Sequence, residues 1–454
     1  MSKLVRKEAA ALISIALPIA ISQISRVGMG VVDTVFAGNV SPRDLAGIGL
    51  GSAVWFAVFF FVSGALLVAS PLVGQRKAKA TPALTHRAME QVALNSVFWG
   101  LVSALVLVLA GSVLAHVQMD PYVAQLAREY AYVIALGAPA CALFQGLKFS
   151  FDALGEPSRG MRIGLFGFAA NIPLNYLFVF GAFGMPGMGG IGCAWATTLV
   201  YWLMLAALLV SARRRPGVAG MRLRILPRPV AEDQRYLFVK GMPSGVTILL
   251  DAGFFSVIAW MAVHFGAISA AANQIATNFV SLLFVGQIAL SMAISIRVAR
   301  AKSNDEVSRT VLAGSGVSCA LSLAYMGALM LFGHQIVAIY TSDPDVRAVA
   351  YGLLSVAVLF QFLDAIQVCL GGALRGMHDT FVPMIFVGLA YWCIALPISY
   401  ALIYTDWLGT TATITDVWYG LAAGISFAAV TLTARFLLKR VGGPLAVPVP
   451  PASR

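Results

Sequence analysis

Twelve long apolar runs set the terms on which this chain can fold. They fall at 9–37, 48–72, 91–115, 124–148, 160–182, 190–212, 236–262, 273–296, 310–332, 348–372, 381–404 and 417–438. Each is long enough for a helix to cross a bilayer, which takes about 20 residues. The runs do not alternate apolar with polar residues, so they read as helices and not as barrel strands. Composition agrees. The 454 residues are 59% hydrophobic and 11% charged, against roughly 25% charged in an average soluble domain.

An even number of spans puts both termini on one side, and the basic residues choose the side. With the N-terminus inside, inner segments and helix ends hold all of the 31 Lys and Arg residues except Arg26, Arg43, Arg128 and Arg347. Both termini are therefore expected in the cytoplasm. The net charge of +12 then reports topology and gives no ground for a nucleic-acid partner. Lys3, Arg6 and Lys7 before an apolar stretch, with Val35-Phe36-Ala37 after it, imitate a signal peptide. An internal repeat makes this segment part of the fold instead.

In that repeat, Pro18 in IALPIAI corresponds to Pro243 in KGMPSGV, an offset of 225. At the same offset, residues 45–78 lie over 270–303 without gaps. Asp120-Pro121 matches Asp343-Pro344, Ala153-Leu154-Gly155 matches Ala373-Leu374-Arg375, and Ile172-Pro173-Leu174-Asn175-Tyr176 matches Leu396-Pro397-Ile398-Ser399-Tyr400. Five ordered matches at near-constant offset make a duplication. The expected fold is an all-α integral membrane protein, with twelve transmembrane helices in two six-helix bundles related by a parallel pseudo-twofold repeat. The expected lobes are 1–212 and 236–454, joined by a basic cytoplasmic linker, 213–235. Parallel six-helix repeats are a transporter architecture, with a substrate cavity expected between the lobes. Pro18, Pro173, Pro243 and Pro397 inside spans allow bends and free backbone carbonyls.

Charge inside a span is costly and so points to function. Asp33, Asp251 and Asp364 lie well within spans. Asp33 is about 39 Å along its helix from Lys7, in the outer half. Asp251 and Asp364 are each about 16 Å from the nearest basic helix end, near the midplane. The position matching Asp33 in the second repeat is Ile258, so the acid is not a requirement of the fold. Asn171 and Asn175 share one helix face. Gln361, Asp364 and Gln367 form a stripe at spacing three. Polar groups of this kind can also simply pair helices. Arg26 is the one basic residue within a span, seven positions before Asp33. It reads either as a structural ion pair with Asp33 or as the group that keeps Asp33 ionised.

No enzyme constellation accompanies these residues: there is no DDxxD, HExxH or Walker-type loop. The five cysteines are scattered singly through apolar runs, and the five histidines are solitary and near span ends. Both groups read as packing or interfacial residues.

ALPIAISQ followed by VVDTVFAG, then NIPLNYLFVFGAFGMPGMGGIGCAWAT, then FQFLDAIQVCLGGALRGMHDTFVPM together resemble the multidrug and toxic compound extrusion (MATE) family, in its NorM-like bacterial branch. The resemblance covers nearly the whole chain. It implies a secondary exporter of the bacterial inner membrane, monomeric and without a cofactor. Such an exporter expels lipophilic, often cationic drugs against inward Na⁺ or H⁺ flow. It implies one polar cluster of Asp33, Asn171, Asn175 and Thr197, with Na⁺ as a candidate ligand of Asp33, Asn171 and Asn175, and a second acidic cluster of Asp251 and Asp364. Arg26, Phe360, Gln361 and Gln367 are expected to support these clusters or line the cavity. Three positions depart from the family pattern. Asp251 stands where many relatives carry Glu, Phe360 where some carry Tyr, and Arg26 where a neutral polar residue is usual. An alternative on the same fold is a flippase or exporter of a lipid-linked or metabolite substrate. Pyrophosphate recognition would call for several inward cations, and Arg26 is the only one offered.

Overall fold

The computed structural model describes residues 3–78, 82–114, 120–181, 184, 186–213, 227–341, 343–404 and 413–441. The described chain is helical: α1 (Lys3–Val40), α2 (Pro42–Leu66), α3 (Ala69–Ala78), α4 (Pro82–Leu114), α5 (Pro121–Ala153), α6 (Pro157–Phe180), α7 (Ile191–Arg213), α8 (Ala231–His264), α9 (Ala267–Val298), α10 (Asn304–Tyr340), α11 (Pro344–Gly376), α12 (Phe381–Gly388), a π-helical stretch (Leu389–Ala395), α13 (Leu396–Tyr404) and α14 (Ile414–Val441). Among the described residues, eleven helices are long and apolar enough to cross a bilayer. The pair 344–358 and 360–376, bent by 51° within α11, makes the twelfth. The twelve-span, all-α fold read from the sequence is the one observed.

Proline and aspartate fix where helices begin. Pro42, Pro82, Pro121, Pro157 and Pro344 each occupy the first helical position, where a missing N–H costs nothing. Asp120 and Asp343 cap the helices that follow them. Asp120 Oδ1 accepts from the backbone of Tyr122 at 2.9 Å, and Asp343 Oδ1 from Asp345 at 2.9 Å. The repeated Asp-Pro pair is thus a helix start written twice. On α4, Leu101, Leu105, Leu109 and Val113 recur at spacing four and are each more than half exposed, as a lipid-facing stripe requires.

Two compact units emerge from the packing. Among the described residues, one holds Leu17–Gly245; the other holds 3–16 and 246–441. The divisions fall inside α1 and α8, whereas the repeat boundaries read from the sequence fall in the linker. Linker residues 214–226, with Arg214, Arg215, Arg222 and Arg224, lie outside the described residues, as do Lys79, His116, Arg454 and the side chain of His264.

Matched ion pairs hold these exchanged helix starts. Glu8 and Asp233 occupy the same repeat position, offset 225. Glu8 accepts from Arg297 Nε at 2.7 Å and from Thr310 at 2.8 Å. Asp233 pairs with buried Arg76 at 2.9 Å. Gln91 adds to the second contact: its Oε1 accepts from Val230 N at 2.9 Å and from Gln234 at 3.0 Å. Close approach completes the fit. A Cβ on Gly241 would lie 2.6 Å from Ala65 O, so only glycine lets α8 approach α2 there.

Candidate functional site

In the unit holding Leu17–Gly245, three helices converge on Asp33. Helix α1 presents the carboxylate. Asn171 and Asn175 sit one turn apart on α6, on either side of Pro173. Thr197 comes from α7. Asn175 Nδ2 donates to Asp33 Oδ1 at 2.8 Å and Asn171 Nδ2 donates to the same oxygen at 3.3 Å. Thr197 Oγ1 donates to Asp33 Oδ2 at 2.6 Å. All four side chains are buried. The four residues nominated together from the sequence therefore meet.

Two acceptors in this cluster are left over. Asn171 Oδ1 and Asn175 Oδ1 are buried and have no hydrogen-bond partner. Buried polar atoms are rarely left so. Both amides turn their nitrogens to Asp33; turned over, their oxygens would join its carboxylate and the Thr197 hydroxyl as a set of hard oxygen donors around one negative charge. Such a set suits an alkali cation better than a thiolate- or imidazole-seeking metal. Cys193, one turn before Thr197, places its thiol 3.4 Å from Asp33 O and ties α7 to the backbone of α1. The sequence reading left Cys193 among packing residues.

The pairing of Arg26 with Asp33 is not formed. Seven residues put the two on a similar face but about 10 Å apart along the axis. Helical side chains lean toward the N-terminus, so Arg26 points away from Asp33. Its guanidinium instead lies 4.5 Å from the centroid of the Phe59 ring, a cation–π contact.

A second cluster forms in the other unit. Asp364 Oδ1 accepts from Gln367 Nε2 at 3.0 Å, and the same nitrogen is 3.0 Å from the Tyr391 hydroxyl. Asp251 on α8 is an electrostatic neighbour of that phenol and of Asp364. Gln367 Oε1 is buried without a partner. Asp251, Asp364 and Gln367 are thus brought together as expected, around a residue the sequence reading did not nominate. Tyr391 lies in the π-helical stretch, where Leu396 N–H reaches back five residues to Tyr391 O. Pro397, lacking an N–H, follows at once. The nearby Trp392 indole donates to Leu250 O at 3.2 Å, and the Tyr391 ring stacks on Phe254 at 5.3 Å. The wider turn is what turns the phenol toward the acids. An i, i+5 bulge beside a proline was the signal available in LAYWCIALP.

Phe360 is placed differently from expectation, whereas Gln361 lines a narrow cavity with Tyr325 and Met326. Phe360 is buried in an apolar cluster against Trp418, with ring centroids 6.2 Å apart. It packs the core because α11 turns it toward α14. Gln361 is buried, and it is its backbone oxygen that accepts, from Ser322 at 3.4 Å.

Comparison with known proteins agrees with this architecture. The MatE family model matches the chain twice, over 18–177 and again over 243–401. The two matches start at the prolines that began the repeat. The chain is 36% identical to multidrug resistance protein PmpM of Pseudomonas aeruginosa, over 95% of this chain and 91% of that one. It is 33% identical to multidrug resistance protein NorM of Photobacterium profundum, over 95% of each. Among solved structures, an outward-facing multidrug resistance MATE transporter of the MOP superfamily superposes with a TM-score of 0.84 at 17% identity. That match covers 97% of this chain and 99% of that one. With its duplicated spans and two polar clusters, the chain belongs to the MatE family.

Proposed function

We propose that this chain is a secondary active exporter of lipophilic, often cationic drugs, driven by inward Na⁺ or H⁺ through alternating access. It would reside in the bacterial inner membrane with both termini cytoplasmic, act as a monomer and need no cofactor. The observation that carries the reading is Asp33, buried, held by Asn171, Asn175 and Thr197, and flanked by two unpartnered amide oxygens. The names of the relatives, multidrug resistance proteins in several bacteria, and the concentration of basic residues in inner segments support it.

A buried carboxylate resists being bare. Asp33 can be neutralised by a proton, by Na⁺ shared with the Asn171 and Asn175 oxygens, or by an organic cation. These occupants exclude one another, so the ion that enters displaces the drug. Transport then needs only that each occupant favour a different conformation. Asp251 and Asp364, grouped with Tyr391 and Gln367, offer a second acidic site in the other unit.

Proteoliposomes loaded with ethidium test the reading. A Na⁺ gradient is imposed at fixed pH, then a pH gradient without Na⁺. Efflux under one gradient identifies the coupling ion. Absence of efflux under both would reject secondary antiport.

A further inference from the structure

Lys148 and Arg76, buried cations in the same unit as Arg26, each hold a carboxylate, at 3.0 and 2.9 Å. Arg26 holds none among the described residues, and its Nε is buried without a hydrogen-bond partner. Leaving a cation unpaired inside a membrane span is costly. The Phe59 ring, 4.5 Å from the guanidinium, offsets only part of that cost. A ring offers no oxygen to accept from the N–H donors of an arginine.

The surroundings supply donors and a small space. Helical side chains lean toward the N-terminus, so Arg26 reaches back toward Gln23 and Ser22, one turn earlier on α1. With Tyr201 of α7, these residues line a narrow cavity. Gly164 of α6 makes part of the wall. A Cβ there would lie 3.2 Å from Ser22 Oγ, so glycine leaves the hydroxyl room to turn. No carboxylate lines the cavity. It has room for one occupant about the size of a water molecule.

Size and charge together select that occupant. A water would satisfy hydrogen bonds but leave the charge uncompensated. A carboxylate or phosphate would bring the charge, but with several heavy atoms in a space for one. A monatomic anion meets both conditions, and chloride is only slightly larger than water. Ser22, Gln23 and Tyr201 can each turn a hydrogen toward it, as Arg26 does. The repeat removes the simplest alternative, a cation that the fold itself needs. At offset 225 the counterpart of Arg26 is Asp251, so the duplicated fold accepts either sign at this position.

We propose that Arg26 binds a halide in this cavity, chloride under physiological conditions. The ion neutralises the guanidinium and ties Ser22 and Arg26 on α1 to Tyr201 on α7. The site is separate from the exchange of ions and drugs proposed above, and neither reading depends on the other.

The test uses the purified wild type and Arg26→Gln, with sodium fixed and gluconate exchanged for chloride or bromide at constant ionic strength. The wild-type melting temperature is expected to rise saturably with either halide, by about 1–2 °C at tenfold excess over the dissociation constant. Arg26→Gln is expected to lose that response. Wild-type crystals grown in bromide are expected to show an anomalous peak within hydrogen-bond reach of the Arg26 guanidinium, and added chloride should displace it. This arm needs no variant, so it decides even where Arg26→Gln does not fold. No bromide peak at Arg26 overturns the proposal and leaves the cavity to water. Equal melting in gluconate and in halide at about 0.15 M salt also overturns it, and a bromide peak would then mark an adventitious ion only. So does a halide response that persists in folded Arg26→Gln.

Discussion

Replacing Asp33 by Asn should stop transport while sparing the fold. Asp33 accepts two strong hydrogen bonds, from Asn175 at 2.8 Å and Thr197 at 2.6 Å, and a longer one from Asn171. A bond to a charged acceptor is worth about 1.5–3 kcal/mol and a neutral one about 0.5–1.5. Asp33→Asn would therefore weaken these contacts by about 2 kcal/mol in all. Part of that is recovered. If the Asn171 or Asn175 amide turns over, its oxygen, without a donor now, can accept from the new amide N–H. The desolvation cost of a buried charge also disappears. Net stability should change by about 1 kcal/mol or less. Ligand binding loses far more. Removing one charge of a buried pair costs about 2–5 kcal/mol, and 3 kcal/mol is already more than a hundredfold in affinity. Two measurements separate the effects: the melting temperature of the detergent-purified protein, and ethidium efflux from proteoliposomes under the coupling gradient. Near-native melting with efflux at background is expected. Wild-type efflux from Asp33→Asn vesicles would show that this carboxylate is not the exchange site.

Thr197→Val should lower the melting temperature and cation affinity together by leaving Asp33 Oδ2 without its donor, a loss of about 1–3 kcal/mol; Thr197→Ser should restore both. Tyr391→Phe removes the phenol bonded to Gln367, which in turn holds Asp364. It should weaken cation binding about tenfold, or about 1–1.5 kcal/mol, as read by isothermal titration with ethidium. Arg76→Leu strands buried Asp233 and should cost about 3 kcal/mol or more of stability. Arg297→Leu should cost less, because that arginine is 34% exposed; thermal unfolding ranks the two. Acidification should weaken cation binding at Asp33, because a proton occupies the same oxygen. Affinity measured from pH 8 to 5 should fall by at most tenfold per pH unit, and Asp33→Asn should give a flat profile.

The spans were legible because a bilayer demands about 20 apolar residues per helix, and nothing in the packing alters that demand. Asp33, Asn171, Asn175 and Thr197 were legible for a related reason: polar groups deep in apolar helices must find one another. What escaped depends on direction, which spacing leaves open. A seven-residue interval suggested that Arg26 faces Asp33, but side-chain tilt carries the guanidinium to Phe59. Tyr391 escaped because its orientation depends on a π-helical turn, and ordinary helical spacing places it elsewhere. The packing units escaped because ion pairs at Glu8 and Asp233 draw the start of each repeat's first helix into the unit built mainly from the other repeat.

Duplication explains why the two polar sites differ. A repeat begins with identical positions, and each position later answers to its own surroundings. Where Asp33 stands in the first repeat, the second has Ile258, 1% exposed and packed in an apolar cluster. That position can therefore serve as plain core, so the fold itself asks for no acid at Asp33. Where Arg26 stands, the second repeat has Asp251, an electrostatic neighbour of Asp364. One unit thus combines an acid with a separate guanidinium two turns below it, and the other gathers two acids around Tyr391. Packing alone would favour apolar residues at all of these positions, as it did at Ile258. The charges are retained at a cost to stability, which the exchange of occupants proposed at Asp33 would offset.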